Sequence, residues 1–448
     1  MVARMAGRQT ARTWVPGAEG SGFGIEHLPY GVIRVRGGLP GPAVRIGDRG
    51  LMLAPVASAG LLDSVAGTDP GALRRALEGP RLNPLLELGR PAWSGLRARL
   101  TELLGAGNSE LADAGLAEHA LVPLAEAEEV MPVDVGDYVD FYASIEHATN
   151  VGRLMRPDQP PLYPNWRHHP VGYHGRAANL VVSGTPIGRP VGQIGPEGPD
   201  ARPAHGPEPR FDLELELGFV CGPGPEGAGP IATDAAAEHI FGFLLVNDWS
   251  ARSIQAWEYR PLGPFLGKAF ATSLAAWITP LETLEPFRVP NRAQDPEPLP
   301  YLRGEGDWAL DLDLEVGLVP AGTGEAEVVS RTNARGLYWT AAQQLAHVTH
   351  AGARIRAGDL FASGTISGSD PGSEGCLLEL TRDGREPLRL DGAERTFLED
   401  GDEVVLRGSG APGQERPAIA LAEVSGRVVP APNGEEGAAV AVAQQRPD

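Results

Sequence analysis

The chain has 448 residues, 42% of them hydrophobic, with Gly 59, Pro 42 and a formal net charge of −20. So acidic a surface repels nucleic acid and anionic membranes. Two cysteines make no disulfide framework, and no apolar run approaches the length of a membrane span. The length predicts two domains, and the glycine and proline content predicts short strands and turns rather than a helical bundle.

Residues 1–20 read as a tail. Arg4, Arg8 and Arg12 precede no apolar stretch, which does not fit a secretory signal; an arginine-rich leader and a frayed tail both fit, and the tail is the expectation. Residues 21–66 hold short apolar runs broken by Gly and Pro, the pattern of a small β-rich module. Over 68–130 the Leu and Ala spacing predicts helix, ending acidic at Glu126, Glu128 and Glu129. Pro132 and Gly136 mark a domain boundary. Strands and turns follow from 137, with 193–209 a Gly/Pro-rich surface loop. A helix is predicted over Thr340–His350 with Thr340 as N-cap. The stretch from Pro430 has the composition of a disordered tail.

Chemistry concentrates in a few segments. Phe211 to Phe219 alternates strictly, placing Asp212, Glu214 and Glu216 on one strand face. Carboxylates two residues apart lie about 7 Å apart by strand rise, a spacing that water or a hard divalent cation can bridge. Leu310 to Val316 alternates in the same way, so the pattern alone does not separate a metal strand from a solvated one.

Asp248, Arg252, Gln255 and Tyr259 recur at helical spacing among Trp249 and Trp257, with Pro261 and Pro264 ending the helix. Lys268, the only lysine in the chain, closes this segment. Arginine stands for every other basic residue, so a compact ammonium here is not interchangeable with a guanidinium. Arg252, Gln255 and Lys268 could polarise a carbonyl oxygen or form a structural network. His147 follows Asp140 by seven residues, about two helical turns; as a general base it needs a carboxylate partner. Glu379, read as an acid inside an apolar strand, must be paired or ligating. His168, His169 and His174 read as turn and aromatic packing, His347 and His350 as structural.

Six stretches carry a resemblance: DYVDFYASIEHATNVGRLMR, PNWRHHPVGYHGRAANLVVSGTPI, DLELELGF, HIFGFLLVNDWSARSIQAWEYRPLGPFLGK, LYWTAAQQLAHVTHAG and GDLFASGTISG. In this order, over about 137–380, they resemble the fumarylacetoacetate hydrolase family, and specifically its fumarylacetoacetase branch; LPYGV near residue 28 matches its N-terminal domain more faintly. The resemblance implies a mainly β (α+β) fold: a tail over 1–20, an N-terminal SH3-like β-barrel module with a helical linker over 21–132, a larger C-terminal mixed β-roll or sandwich catalytic domain over 133–430, and a tail over 431–448.

It implies that Asp140, Glu214, Glu216 and Asp248 hold Ca²⁺ or Mg²⁺, with Lys268 and Thr272 at or near the metal. It makes His147, backed by Glu379, the base that activates water. Arg252, Gln255 and Lys268 would steady the oxyanion, and Tyr142, Arg156, Tyr173, Gln255, Tyr259 and Thr365 would contact substrate. The implied reaction is hydrolysis of 4-fumarylacetoacetate to fumarate and acetoacetate, the last step of tyrosine and phenylalanine breakdown. A cytoplasmic homodimer joined through the C-terminal domain, acting on a small dicarboxylate diketo acid without nucleic acid or membrane partners, is implied as well. Ala269-Phe270-Ala271-Thr272 departs from the family's usual Ser-Phe-Gly-Thr at this point. The alternatives are another chemistry of the superfamily, acylpyruvate hydrolysis or keto-acid decarboxylation, and a Ca²⁺-binding structural protein without turnover.

Overall fold

The computed structural model describes residues 12–431, apart from 197, 199, 228, 414 and 415. The fold is mixed α/β and rich in sheet. Ten strands of a 13-stranded sheet run in the spatial order Leu121–Pro123, Arg49–Met52, Gly41–Ile46, Tyr30–Val35, Trp277–Pro280, Ile240–Asp248, Leu215–Cys221, Leu360–Ala362, Tyr138–Phe141 and Gly172–His174. A second sheet of five strands orders Glu327–Asn333, Asp313–Val319, Glu403–Gly410, Ile419–Val429 and Ile187–Gly188.

The early strands form no closed barrel among the described residues, contrary to the SH3-like expectation. Tyr30 pairs with Ile278 and Gly31 with Trp277, so the strand that would close a barrel extends the central sheet instead. A glycine is required at that join, because a Cβ on Gly31 would lie 2.6 Å from the Trp277 ring. Burying whole tryptophans such as Trp249 and Trp277 removes large apolar areas from water and anchors the sheet.

The helical reading of 68–130 holds for Pro70–Leu77, Asn83–Glu87, Arg90–Leu104 and Glu110–Asp113. In Arg90–Leu104 the buried Trp93, Leu96, Leu100, Leu103 and Leu104 form the apolar stripe. The acidic end is a single 3-10 turn, Leu124–Glu126, followed by the strand Ala127–Val130 paired antiparallel with Tyr30–Val35. Arg34 binds Glu128 across the strand pair, and Arg36 binds Glu126 just beyond its end, so pairing with a distant strand takes the place of helix propensity.

Residues 12–20 are not a loose tail. Thr13 bridges Gly105, Trp14 Nε1 donates to Leu103 O at 2.9 Å, and Val15 and Ala18 are buried. Residues 1–11 and 432–448, expected as tails, lie outside the described residues. The 193–209 loop contains a hairpin pairing Val191–Ile194 with Ala204–Pro207. Ala341–His350 forms the predicted helix, and Thr340 caps it in a reciprocal capping box with Gln343.

Candidate active site

Four buried carboxylates converge at one place in the central sheet. Asp140 lies on Tyr138–Phe141, in parallel register with Ala362; Ala362 pairs with Gly218 on the strand that carries Glu216. That strand pairs with Ile240–Asp248, whose last residue is Asp248. Glu214 sits in a two-residue break between Phe211–Asp212 and Leu215–Cys221. One oxygen from each of Asp140, Glu214, Glu216 and Asp248 lies within 4.8 Å of the others.

The solvated face that alternation alone would allow is excluded. Asp212 and Glu216 are 0% exposed and Glu214 is 4% exposed, and charges so buried must be paired or ligating. The other alternating stretch goes differently: Asp311 binds Arg416, Asp313 binds Asn333 and Glu315 binds Arg331.

The donors around the quartet leave two oxygens over. Lys268 Nζ bonds Glu214, and bonds Asp248 Oδ2 at 3.0 Å. Thr272 Oγ1 donates to Asp248 Oδ1 at 2.6 Å, and the Gly364 N–H donates to Glu216 Oε2 at 3.0 Å. The Tyr173 hydroxyl lies 2.7 Å from Asp140 Oδ2 and 2.9 Å from Asp248 Oδ2. Asp140 Oδ1 and Glu216 Oε1 are buried without a partner among the described residues. Burial, and then repulsion from the neighbouring carboxylates, pushes the carboxyls of Asp140 and Glu216 well above their ordinary range. Burial opposes ionisation of Glu214 too, but the charges of Lys268 and Arg252 outweigh it and hold that carboxyl low. Crowded oxygens with two lone acceptors fit a hard divalent cation.

Lys268 belongs beside this donor set rather than in it. Its ammonium has donors only and no lone pair for a metal. Burial would lower its pKa, yet the charges of Asp248 and Glu214 raise it above the usual lysine value. Two carboxylates engage the ammonium, which leaves it one further donor.

Helix Arg252–Glu258 carries Arg252 and Gln255, and Tyr259 caps it in helical geometry; Asp248 instead ends the strand Ile240–Asp248, so it does not share their helix. Arg252 Nε donates to Asp212 Oδ2 at 2.8 Å and Nη1 to Glu214 Oε1 at 2.8 Å. Its Nη2 is buried with no partner among the described residues. Gln255 Oε1 accepts from Arg252 Nη1 at 3.2 Å, which leaves its amide N–H groups uncommitted to that arginine.

His147 lies in the first turn of helix Ile145–Met155, capped by Ser144, whereas Asp140 lies on a strand, so the two do not share a helix. The partner carboxylate is Glu379: His147 Nδ1 and Glu379 Oε2 are 2.5 Å apart. Glu379 is in the short helix Leu377–Leu380 rather than in a strand. Asn150 Nδ2 donates to its Oε1 at 2.9 Å; Ser367 Oγ at 2.9 Å and Cys376 Sγ at 3.1 Å donate to its Oε2. Burial works against the charge of Glu379, but His147 and the hydrogen bonds from Asn150 and Cys376 hold its pKa below the ordinary value. A carboxylate can only accept, so the bond to Glu379 is made by Nδ1–H and leaves Nε2 facing away from that carboxylate.

Among the expected substrate contacts, Tyr142 sets its ring edge-on to His147, with centroids 5.3 Å apart. Arg156 is buried over the Tyr163 ring, its Nη2 on Pro161 O and its Nε unpartnered. Thr365 Oγ1 is likewise buried and unpartnered. Tyr173 sits against Asp140 and Asp248, and Tyr259 stacks with Arg260. His169 stacks on His347, and His350 on Tyr301.

Sequence reasoning missed two supports. Asp212 accepts the N–H groups of Leu377 and Leu378 as well as Arg252. Glu208 accepts those of Ser253 and Ile254 at the start of the arginine helix. Asp212 was visible in the alternating strand, but nothing local pointed to its partners.

Comparison with known proteins adds the family. Residues 26–132 match the model for the fumarylacetoacetase N-terminal region and residues 138–420 the model for the fumarylacetoacetate hydrolase C-terminal region. A fumarylacetoacetase of Oryza sativa subsp. japonica is 47% identical over 404 residues, 89% of this chain and 93% of that protein. The Rattus norvegicus fumarylacetoacetase is 44% identical over 422 residues, 94% and 99% of the two chains. A Mycobacterium smegmatis protein of solved structure shares the fold at TM-score 0.51 and 20% identity, over 90% of this chain and 99% of that one. The chain belongs to the fumarylacetoacetate hydrolase family.

Proposed function

We propose that the protein hydrolyses the carbon–carbon bond of 4-fumarylacetoacetate, giving fumarate and acetoacetate. The observation that carries this reading is the unspent donors: buried Arg252 Nη2 without a partner, beside an ammonium with a donor left over. Such groups are placed for a charge that develops only during reaction, whereas a purely structural calcium site needs oxygens rather than adjacent cations.

Asp140, Glu214, Glu216 and Asp248 would hold Mg²⁺ or Ca²⁺. When bound, the cation supplies positive charge to the chelating oxygens of the diketone. His147 Nε2 takes a proton from water while Glu379 accepts the Nδ1–H and stays ionised. Hydroxide adds to the ketone next to the unsaturated acid. Arg252, Gln255 and Lys268 stabilise the alkoxide, one such donor being worth about 3 kcal/mol. The carbon–carbon bond then breaks, its electron pair leaves on the acetoacetate carbon, and the imidazolium returns the proton there. Arg156, Tyr142, Tyr173, Tyr259 and Thr365 bind and orient the substrate, the arginine through a carboxylate.

The same reading assigns residues 21–132 to an N-terminal module and 133–430 to the catalytic domain, and makes the protein a cytoplasmic homodimer at the end of tyrosine and phenylalanine breakdown. The test is to identify products by mass after incubating purified protein with fumarylacetoacetate. Fumarate and acetoacetate in equal amounts support the reading. Cleavage of an acylpyruvate, or loss of CO₂ from a keto acid, with fumarylacetoacetate untouched, rejects it.

A further inference from the structure

Cys376 gives the base pair a third buried donor atom of a different kind. His147, Cys376 and Glu379 are all buried, and one donor atom from each lies within 4.8 Å of the others. Cys376 Sγ is 3.1 Å and His147 Nδ1 is 2.5 Å from Glu379 Oε2. Imidazole, thiolate and carboxylate are the ligand set of zinc, whereas the oxygen-only quartet suits a hard cation. Zinc bonds of about 2.0–2.3 Å in a tetrahedron place neighbouring ligand atoms about 3.3–3.7 Å apart. The separations from Glu379 Oε2, 2.5 and 3.1 Å, are shorter than that range, so His147 and Cys376 must each spread from the carboxylate by less than about 1 Å to admit the ion.

We propose that His147 Nδ1, Cys376 Sγ and Glu379 form an inhibitory site for a zinc-class cation, distinct from the oxygen quartet. One thiolate and one carboxylate neutralise the divalent charge, which buried surroundings demand. Of the three, Glu379 lines a cavity of about 480 Å³ together with Asn150, while His147 and Cys376 lie behind it. The fourth position falls to water or to Ser367 Oγ, 2.9 Å from Glu379 Oε2.

Binding moves two protons. The Cys376 thiol releases its proton to solvent, and His147 shifts its proton from Nδ1 to Nε2. With Nε2 protonated, the imidazole cannot accept a proton from water. Inhibition therefore rests on the proposed role of His147; metal binding itself does not.

The test titrates Mg²⁺-loaded full-length protein with Co²⁺ and reads the thiolate-to-cobalt charge-transfer absorption, then measures the Zn²⁺ concentration that halves turnover. The expected result is a band of one equivalent that persists in Cys221→Ser and vanishes in Cys376→Ser, with the half-inhibiting Zn²⁺ concentration in Cys376→Ser raised about tenfold or more. Cys221, the only other cysteine, is buried in the strand Leu215–Cys221 and serves as the control. No thiolate band in the wild type, a band that survives Cys376→Ser, or unchanged Zn²⁺ inhibition in that variant overturns the proposal. A thiolate band without any inhibition would overturn the inhibitory role, and with it the base role of His147 on which that role rests, while metal binding itself would stand.

Discussion

Asp212 ties Arg252 to the helix that carries Glu379. One carboxylate accepts Arg252 Nε at 2.8 Å and the N–H groups of Leu377 and Leu378 at 2.8 and 3.0 Å. It thereby fills orphan donors of the helix Leu377–Leu380 and neutralises a buried guanidinium. The group proposed to hold the oxyanion and the carboxylate proposed to orient the base are thus fixed by one side chain. Asp212→Ala leaves a buried arginine short of a partner and is expected to cost about 3–5 kcal/mol of stability. Asp212→Asn should fold more readily and still lose kcat with little change in KM. Denaturant unfolding and steady-state kinetics check both; a variant with wild-type stability and kcat would show the link to be idle.

Lys268 is expected to resist replacement by arginine. The ammonium fits between Glu214 and Asp248, and a planar fork is larger and directs its donors differently. Lys268→Arg should lower kcat by about 10²-fold or more, the loss typical of an oxyanion donor. Near-wild-type turnover would show that any cation serves.

His147→Ala and Glu379→Gln should lower kcat by about 10²- to 10⁴-fold, the usual contribution of general base catalysis. The double variant should lose little beyond either single one, because the two residues act as a unit. Additive losses, measured in a double-mutant cycle, would separate their roles.

His27 predicts an acid limb of stability that is independent of the site. It is 1% exposed, its Nδ1 2.9 Å from Gly22 O and its Nε2 2.9 Å from Thr279 Oγ1. The carbonyl can only accept, so Nδ1 carries the proton and Nε2 accepts from the threonine. Burial pushes the pKa down from 6.5 to about 3, with the charges of Arg97 and Arg45 adding to it and the Gly22 bond opposing. The unfolded chain therefore binds a proton below pH 6.5 that the folded chain refuses. This contribution is complete above pH 6.5 and is lost progressively as pH falls toward 3, by about 1.4 kcal/mol per unit. His27→Gln should flatten that slope in urea titrations between pH 6.5 and 4.5, a range inside the stated window; an unchanged slope would assign the acid limb to other groups.

What the sequence made legible was local. The Thr340 cap and its helix could be read because both partners of the capping box lie three residues apart. The quartet was harder, since the alternation at Asp212–Glu216 recurs at Asp311–Glu315 and only the family resemblance chose between them. The structure separates the two by burial and company: Asp212, Glu214 and Glu216 are buried, and Asp140 and Asp248 converge on Glu214 and Glu216, whereas Asp311, Asp313 and Glu315 are partly or fully exposed. Asp212 and Leu377 are 165 residues apart, and no pattern in either segment announces the contact. The strand at Ala127–Val130 and the packed residues 12–20 were missed for the same reason. Each is fixed by pairing with a distant segment, which overrides the local composition.

Saturating Mg²⁺ should stabilise the protein as well as activate it, because the cation would offset repulsion among four buried carboxylates. At about 100 times its dissociation constant the gain is about 2.7 kcal/mol, readable as a rise in Tm. Asp140→Asn together with Glu216→Gln should abolish the shift. A full shift in that double variant would place the cation elsewhere.

The most direct measurement follows fumarylacetoacetate turnover by the purified protein before chelation, after chelation and after return of Mg²⁺ or Ca²⁺. The account predicts fumarate and acetoacetate in equal amounts, lost on chelation and restored by the cation. No cleavage by a folded, metal-loaded protein, or cleavage untouched by chelation, would contradict it.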